Sequence, residues 1–556
     1  GTIALQDYLP KITAPGDNIC AGASNAIDGS ALSGTSSPSA FVLETDNHTI
    51  TGFTVTNFPG AGVLLFSDEN TIRGMIIDNC TGNGITVFGS DENTITNCIV
   101  RGNDQGIRFT QGAQNNFVED THVHGNDTDG ITFTGTETTG NIVANCNIGL
   151  TENFAADGNQ GYGVKFVNGA NNNRLGDPND ASRFSYISDN QLGGILIDGE
   201  GVEDNIIHSV ALGYQLEGDW IGNGPNGIGI TVRGGAKNNE IGQHGANSVV
   251  AIGGHKNNAI LVEEPGTDGN VFVRCDIGRV DPVLSDQPQP NEGHGIEIRG
   301  GVKNTELGGP QELTQFEVNF TGDGKHGIFL NGNDNANPIE NTLIDIYHIG
   351  DYSMEGQDYS IGGDDIHVVG NVDGVVIGND HHPNSTNGAQ GYGIVLDGPD
   401  VQNITLQHIA CFQRYPDTLP NRMGAIMIRN GAHDIDFANG EMARSYLAMA
   451  DGPGITIDAT GAEIPENVTI RNVSVGLPSF GDSPGNTDAG ILIKGPDQQD
   501  ILELSGITIG QQDGTLPPVI SNNQGHGIHL QRVANIDIRG AMIGTDQQGT
   551  SAEPNT

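Results

Sequence analysis

The chain has 556 residues, 84 of them glycine, and its 69 acidic against 23 basic residues leave a net charge of −46. A surface this negative repels nucleic acid, anionic membranes and, unless cations intervene, acidic polysaccharides. No run of eighteen apolar residues reads as a membrane span and no long amphipathic pattern reads as a helix, whereas abundant Gly, Asn and Asp serve tight turns.

Residues 1–61 read as opening coils of a repeat that becomes explicit at Gly62. The motif Gly-apolar-x-apolar starts at Gly62 (GVLLFS), Gly84 (GITVFG), Gly106 (GIRFTQG) and Gly130 (GITFTG), giving a short-coil base over 62–130 with copies 22 to 24 residues apart. Over 131–556 the copies continue from Gly163 to Gly527, at spacings of 28 to 38 residues. Three of them replace the leading glycine, with Ala259, Asp365 and Ala425. Apolar residues at positions one and three after the glycine alternate with polar ones, the period of a half-buried strand. An Asn-x-apolar signature between copies, as in ENTIRGMIIDN and ENTITNCIVRGN, leaves room for two more short strands. These spacings predict an all-β fold, a right-handed parallel β-helix forming one continuous solenoid over 1–556, with about 16 coils of three short strands each.

Aligned copies place Cys98, Cys146 and Cys275 at one stacked position, five residues after Asn93, Asn141 and Asn270, which reads as a small interior residue. The pairing of Cys20 and Cys80 is left open. The fourth residue after each glycine gives Asp198, Arg233, Glu263, Arg299, Asp397, Arg429, Asp458 and Lys494. The neutral Asn331 and Val369 interrupt this otherwise alternating series. Stacked opposite charges pair and like charges repel, so the series reads as a structural charge ladder.

Paired carboxylates can divide acid and base roles when their surroundings separate their pKa values, which makes Asp364 and Asp365 in IGGDDIHVVG the first catalytic candidates. This segment resembles the Gly-Asp-Asp motif of polygalacturonase-type glycoside hydrolases. That family's Arg-x-Lys motif is absent, and Gly-His-Gly occurs only at Gly293–Gly295 and Gly525–Gly527. A lyase or epimerase needs a base and cations for the uronate carboxylate. The arginine-rich stretch with Arg414, Tyr415, Arg422, Arg429 and Arg444 is the second candidate. His381 and His382, with Asp380, form a candidate metal pair in a loop. Asp- and Asn-rich loops offer oxygen ligands for Ca²⁺, although no cofactor is required by any motif. His294 and His526 read as tolerated turn residues, and the Asn126 and Asn384 sequons as products of composition.

The NTI strands, the GI-x-I strands and the IG…PN…GI insertions together resemble the right-handed β-helix repeat regions of large bacterial surface and secreted proteins. The resemblance implies a secreted or cell-surface location and a structural or adhesive role. The alternative is a carbohydrate-active enzyme on the same fold: a polysaccharide lyase, an epimerase or a glycoside hydrolase. The C-terminal IGTDQQGTSAEPNT matches an internal segment that leads into another coil, so the expected partners are a further copy stacked end to end, or a continuation of the chain, and carbohydrate.

Overall fold

The computed structural model describes all residues except 1, 8, 15, 17, 33–36, 214–220, 226, 244–248, 279–288, 310–318, 321–322, 334–336, 347, 351–359, 380–382, 412–418, 439–443, 478–483, 498–499 and 511–515. Among the described residues every regular element is a strand, and no helix is long and apolar enough to cross a membrane. The chain divides into two compact units, Gly1–Leu261 and Val262–Thr556. Each is a right-handed parallel β-helix.

In the first unit a coil consists of Ile85–Phe88, Thr94–Thr96 and Ile99–Arg101. The next coil, Ile107–Thr110, Phe117–Glu119 and His122–His124, stacks on it with Ile107 against Ile85, Phe117 against Thr94 and His122 against Ile99. The glycine-led strands continue in register through Ile131, Val164, Ile195 and Ile230. In the second unit the corresponding series is Ile296, Ile328, Ile366, Ile394, Ile426, Ile455, Ile491 and Ile528. Residues one and three after the glycine point inward because a strand alternates its side chains, and Ile85, Val87, Ile107 and Phe109 are fully buried. Phe109, Phe133 and Phe166 stack through the interior with centroids 4.9 Å apart.

The asparagines of the Asn-x-apolar signature are buried rungs. Asn70, Asn93, Asn116, Asn141, Asn173, Asn205 and Asn239 form a file in which each Nδ2 donates to the Oδ1 of the next at 2.8–3.3 Å. A second file, Asn103, Asn126, Asn159, Asn190 and Asn223, runs through the turn before the glycine at 2.7–3.2 Å. A buried amide must satisfy its donors and acceptors, and a stack of amides does so coil after coil. Crowding explains the leading glycine. A Cβ at Gly84 would overlap Val100 Cγ1 and lie 2.8 Å from the Gly106 carbonyl oxygen and 3.0 Å from Asn103 Nδ2, and one at Gly130 would lie 2.6 Å from the Gly163 carbonyl oxygen and 2.9 Å from Asn159 Nδ2. An apolar interior side chain, a carbonyl and the rung together occupy the space a side chain would need.

On the outer face, Arg233 pairs with Asp198 at 3.2 Å, Arg299 with Glu263 at 2.6 Å, Arg429 with Asp397 at 2.7 Å and Lys494 with Asp458 at 3.0 Å. In each case the cation reaches back to the acid of the preceding coil. All six cysteines are free thiols, and only Cys20 is exposed. Burial pushes the Cys98 thiol up to about 11 and the Cys146 thiol up to about 12. The sequon residues Asn126 and Asn384 are buried: Asn126 is a rung, and Asn384 lies in the buried strand Asn384–Asn387. In the last coil Leu530, Ile538 and Ile543 are exposed, although their in-register neighbours Ile493, Ile509 and Ile520 are fully buried.

Candidate functional site

Three successive coils of the second unit depart from the repeat on both sides of the wall. The interior rung position carries Asn291, then Asp323, Ile361 and Ala389, before returning to Asn421. Asp323 Oδ1 accepts the main-chain N–H of Asn291 at 3.2 Å and its Nδ2 at 3.0 Å. Its Oδ2, standing where an asparagine would place a donor, is buried without a hydrogen-bond partner. Burial pushes the Asp323 carboxyl up to about 7, against the opposing pull of the Asn291 hydrogen bonds. The interior strand Asn384–Asn387 of this region is polar and fully buried, and Thr386 Oγ1 lies 2.7 Å from Cys411 Sγ.

Asp365 takes the place of the leading glycine. The next rung is Ala389, so the room elsewhere filled by an asparagine amide is free for the carboxyl. At Ala425 the next rung position is likewise an alanine, Ala450, whereas Ala259 precedes Asn291. Asp365 is fully buried with neither oxygen hydrogen-bonded, and burial, aided by the neighbouring Asp364 charge, holds its pKa well above the usual carboxylate range.

Asp364, one residue earlier in the turn before the strand Ile366–Gly370, directs its carboxylate to the outward His367. Its partners come from the preceding coil, from the strand it leads into and from the following coil. His367 Nδ1 lies 2.7 Å from Asp364 Oδ2, and Asp364 Oδ1 accepts the Tyr392 main-chain N–H at 2.7 Å. Burial raises the Asp364 pKa, but these hydrogen bonds and the neighbouring imidazoles of His367 and His326 outweigh it and hold the carboxyl below its ordinary value. An ionised carboxylate only accepts, so His367 carries a proton on Nδ1, which in the neutral ring leaves the lone pair on Nε2. The main-chain N–H of Asp364 donates to His326 Nδ1 at 2.9 Å, which fixes the proton of neutral His326 on Nε2. Burial, then the neighbouring His367, lowers the His326 pKa to about 4, keeping it a neutral donor. The His326 main-chain N–H donates to His294 Nδ1 at 3.2 Å. The His294 ring stacks on Phe329 at 4.6 Å and on His326 at 5.3 Å, and His326 lies 4.6 Å from His367. The side chains of His326, His367 and Asp364 are 22%, 13% and 12% exposed.

This geometry corrects two expectations. Asp364 and Asp365 cannot act as an acid–base pair on one glycosidic bond, because one carboxyl faces outward and the other is sealed in the interior. His294 is part of a packed aromatic stack and not a tolerated turn residue. Arg429 is tied to Asp397, and Arg444 donates to the Pro517 carbonyl at 3.2 Å. Arg414 and Tyr415, like Asp380, His381 and His382, lie outside the described residues.

His326, Asp364 and His367 each place a ligand atom within 4.8 Å of the others, the kind of donor set that suits Zn²⁺ or Fe²⁺ and not the all-oxygen preference of Ca²⁺. The hydrogen bonds oppose such use. The Nδ1 atoms facing the carboxylate are already occupied, one by a proton given to Asp364 and the other by a main-chain N–H. A metal bound through those Nδ1 atoms would have to break both. The arrangement fits a proton-transfer centre, and no step here runs through a metal.

His326 and His367 were not found from the sequence alone. Reading the column before the glycine (His294, His326, Asp364, Tyr392) beside the column two after it (Phe329, His367) places them together.

Residues 19–179 match the family model described as the right handed beta helix region. No curated protein matches the sequence. Among solved structures, the catalytic domain of a GH87 alpha-1,3-glucanase is similar at 14% identity and a TM-score of 0.36, covering 68% of this chain and 59% of that one. The A-module of the Azotobacter vinelandii mannuronan C-5 epimerase AlgE4 is similar at 11% identity and a TM-score of 0.36, covering 77% and 91%. The tailspike protein of E. coli bacteriophage HK620, solved with a pentasaccharide, is similar at 11% identity and a TM-score of 0.29, covering 77% and 70%. The likeness is one of fold.

Proposed function

We propose that this chain is an extracellular carbohydrate-processing β-helix that performs acid–base chemistry on the outer face of its second unit. The observation that carries the reading is the hydrogen-bond pattern: His367 Nδ1 held by the Asp364 carboxylate, which in the neutral ring leaves Nε2 to accept a proton, beside His326, whose Nδ1 accepts a main-chain N–H and whose Nε2 therefore donates. A base held by a carboxylate and a neighbouring neutral donor are the two parts that proton abstraction requires. In that role His367 Nε2 takes a proton from a carbon beside a carbonyl or carboxylate. Asp364 stabilises the imidazolium that forms, and the His326 N–H serves the oxygen on which negative charge develops. Lys325, exposed next to His326 and near enough that its charge lowers that group's pKa, supplies positive charge for an acidic sugar. The site lies on a strand ladder among outward polar side chains of several coils, which favours an extended polymer. Uronate polysaccharides satisfy all of these requirements, and a lyase or epimerase is the corresponding reaction class.

The test is turnover on alginate, polygalacturonate and a neutral glucan, followed by the unsaturated product and by proton NMR of the uronate residues. The reading expects conversion of a uronate polymer, at least a hundredfold loss with His367→Ala and a smaller loss with Lys325→Ala. Conversion unaffected by His367→Ala would remove the site from the chemistry. With no conversion of any polymer, the structural or adhesive rod, which the amide files and paired charges support, becomes the better account.

A further inference from the structure

The first unit carries an unpaired cation in a chain where carboxylates are three times as numerous as basic side chains. Arg108 lies on the outward face of the glycine-led strand Ile107–Thr110 and is half-buried. Its Nε is buried with no hydrogen-bond partner, and among the described residues its guanidinium makes no ion pair. Lys165 of this unit is tied to Asp129 at 3.3 Å and Arg101 to Asp78 at 3.4 Å. A half-buried guanidinium lacking a partner is costly, so an anion brought by a ligand would gain what the protein itself leaves unused.

The neighbours of Arg108 are suited to such an anion. Thr86 and Thr132 flank it in register, one coil on either side. The Thr86 hydroxyl accepts from Asn83 Nδ2 at 3.0 Å and the Thr132 hydroxyl accepts from Gln105 Nε2. Each threonine therefore keeps its own O–H to donate. No carboxylate stands among these five residues. Two residues farther along the strands, Phe66 and Phe88 form an exposed edge-to-face pair with centroids 5.2 Å apart, 42% and 41% exposed.

We propose that Arg108, with the Thr86 and Thr132 hydroxyls, binds the anionic group of an acidic glycan, and that Phe66 and Phe88 provide the apolar surface for an adjoining sugar ring. A guanidinium takes a carboxylate or a sulfate through two parallel hydrogen bonds, and either substituent supplies that chemistry. This site is independent of the histidine centre and of the reaction assigned to it.

Affinity electrophoresis of the full chain in gels containing polygalacturonate, dextran sulfate or neutral dextran tests the proposal and separates the two anions. Retardation by at least one acidic polymer, and none by dextran, is expected. Arg108→Gln should weaken retardation at least tenfold, Arg108→Lys less, and Phe88→Ala a fewfold. Arg101→Gln, which removes a cation already paired with Asp78, should leave it unchanged. Because Arg108 has no internal partner, Arg108→Gln should unfold at the same temperature as the parent or higher, so lost binding cannot be ascribed to misfolding. Wild-type protein that migrates alike in all three gels, or Arg108→Gln retarded as strongly as wild type, would overturn the proposal.

Discussion

The first unit and the coils around Asp364 use the same repeat differently. In the first unit the files Asn70 to Asn239 and Asn103 to Asn223 run unbroken, the strand-leading glycines face them, and stacked phenylalanines fill the interior. Around Asp364 the rung becomes Asp323, Ile361 and Ala389, and the glycine becomes Asp365. The outward positions there become His326, Asp364, His367 and Tyr392. The outer charge ladder falls silent in the same place, at Asn331 and Val369. Departures from local consistency concentrate where function resides, and here the inner and outer departures fall on the same coils.

This comparison can be broken or sharpened by substitution. The largest effect is expected from Asp323→Asn, which restores a rung. A folded pKa near 7 lies above the unfolded value, so ionisation is resisted only in the folded state. Stability is thereby lost as pH rises from about 4 to about 7 and stays low beyond. At roughly 1.4 kcal/mol per pKa unit, Asp323→Asn should stabilise the protein at pH 8 by up to about 4 kcal/mol and do little at pH 4, as read from denaturant unfolding. His294 and His326 act in the opposite direction. Burial first, then nearby cationic groups, lowers their pKa values to about 3 and about 4, so stability falls as pH drops from about 6.5 towards those values.

Next in size, Ala389→Asn forces an amide against the Asp365 carboxyl and should cost roughly 2–3 kcal/mol. Asp365→Gly added to it should recover most of the loss, since the pair then matches the first unit. A double-mutant cycle with no coupling would contradict the packing rule. Asn116→Ala, which severs bonds to Asn141 and to the Ser90 carbonyl at 2.8 and 2.9 Å, should cost about 2 kcal/mol. The smallest effect belongs to Lys494→Met, which loses a partly exposed pair with Asp458 and should shift stability by less than about 1 kcal/mol.

Much of the fold was legible because one glycine-led strand marks every coil, so aligning the glycines already gave the register of Ile85 on Ile107 and of Asp397 on Arg429. The Asn-x-apolar spacing was visible as a strand marker, but its cause, an amide file through a buried turn, emerges only when successive coils are stacked. At the site, Asp364 stood out because two adjacent aspartates interrupt the motif. Its partner His326 is 38 residues earlier and looked like any polar turn residue. The inward course of Asp365 was hidden as well, because it depends on the small size of Ala389 in the following coil.

The most direct test of the oriented base at His367 is a long-range proton–nitrogen NMR spectrum of histidine-labelled protein at neutral pH. The structure predicts His367 protonated on Nδ1 and His326 on Nε2, with Asp364→Asn disturbing the His367 tautomer while His326, held by a main-chain N–H, keeps its own. A wild-type spectrum with His367 protonated on Nε2 would contradict the account.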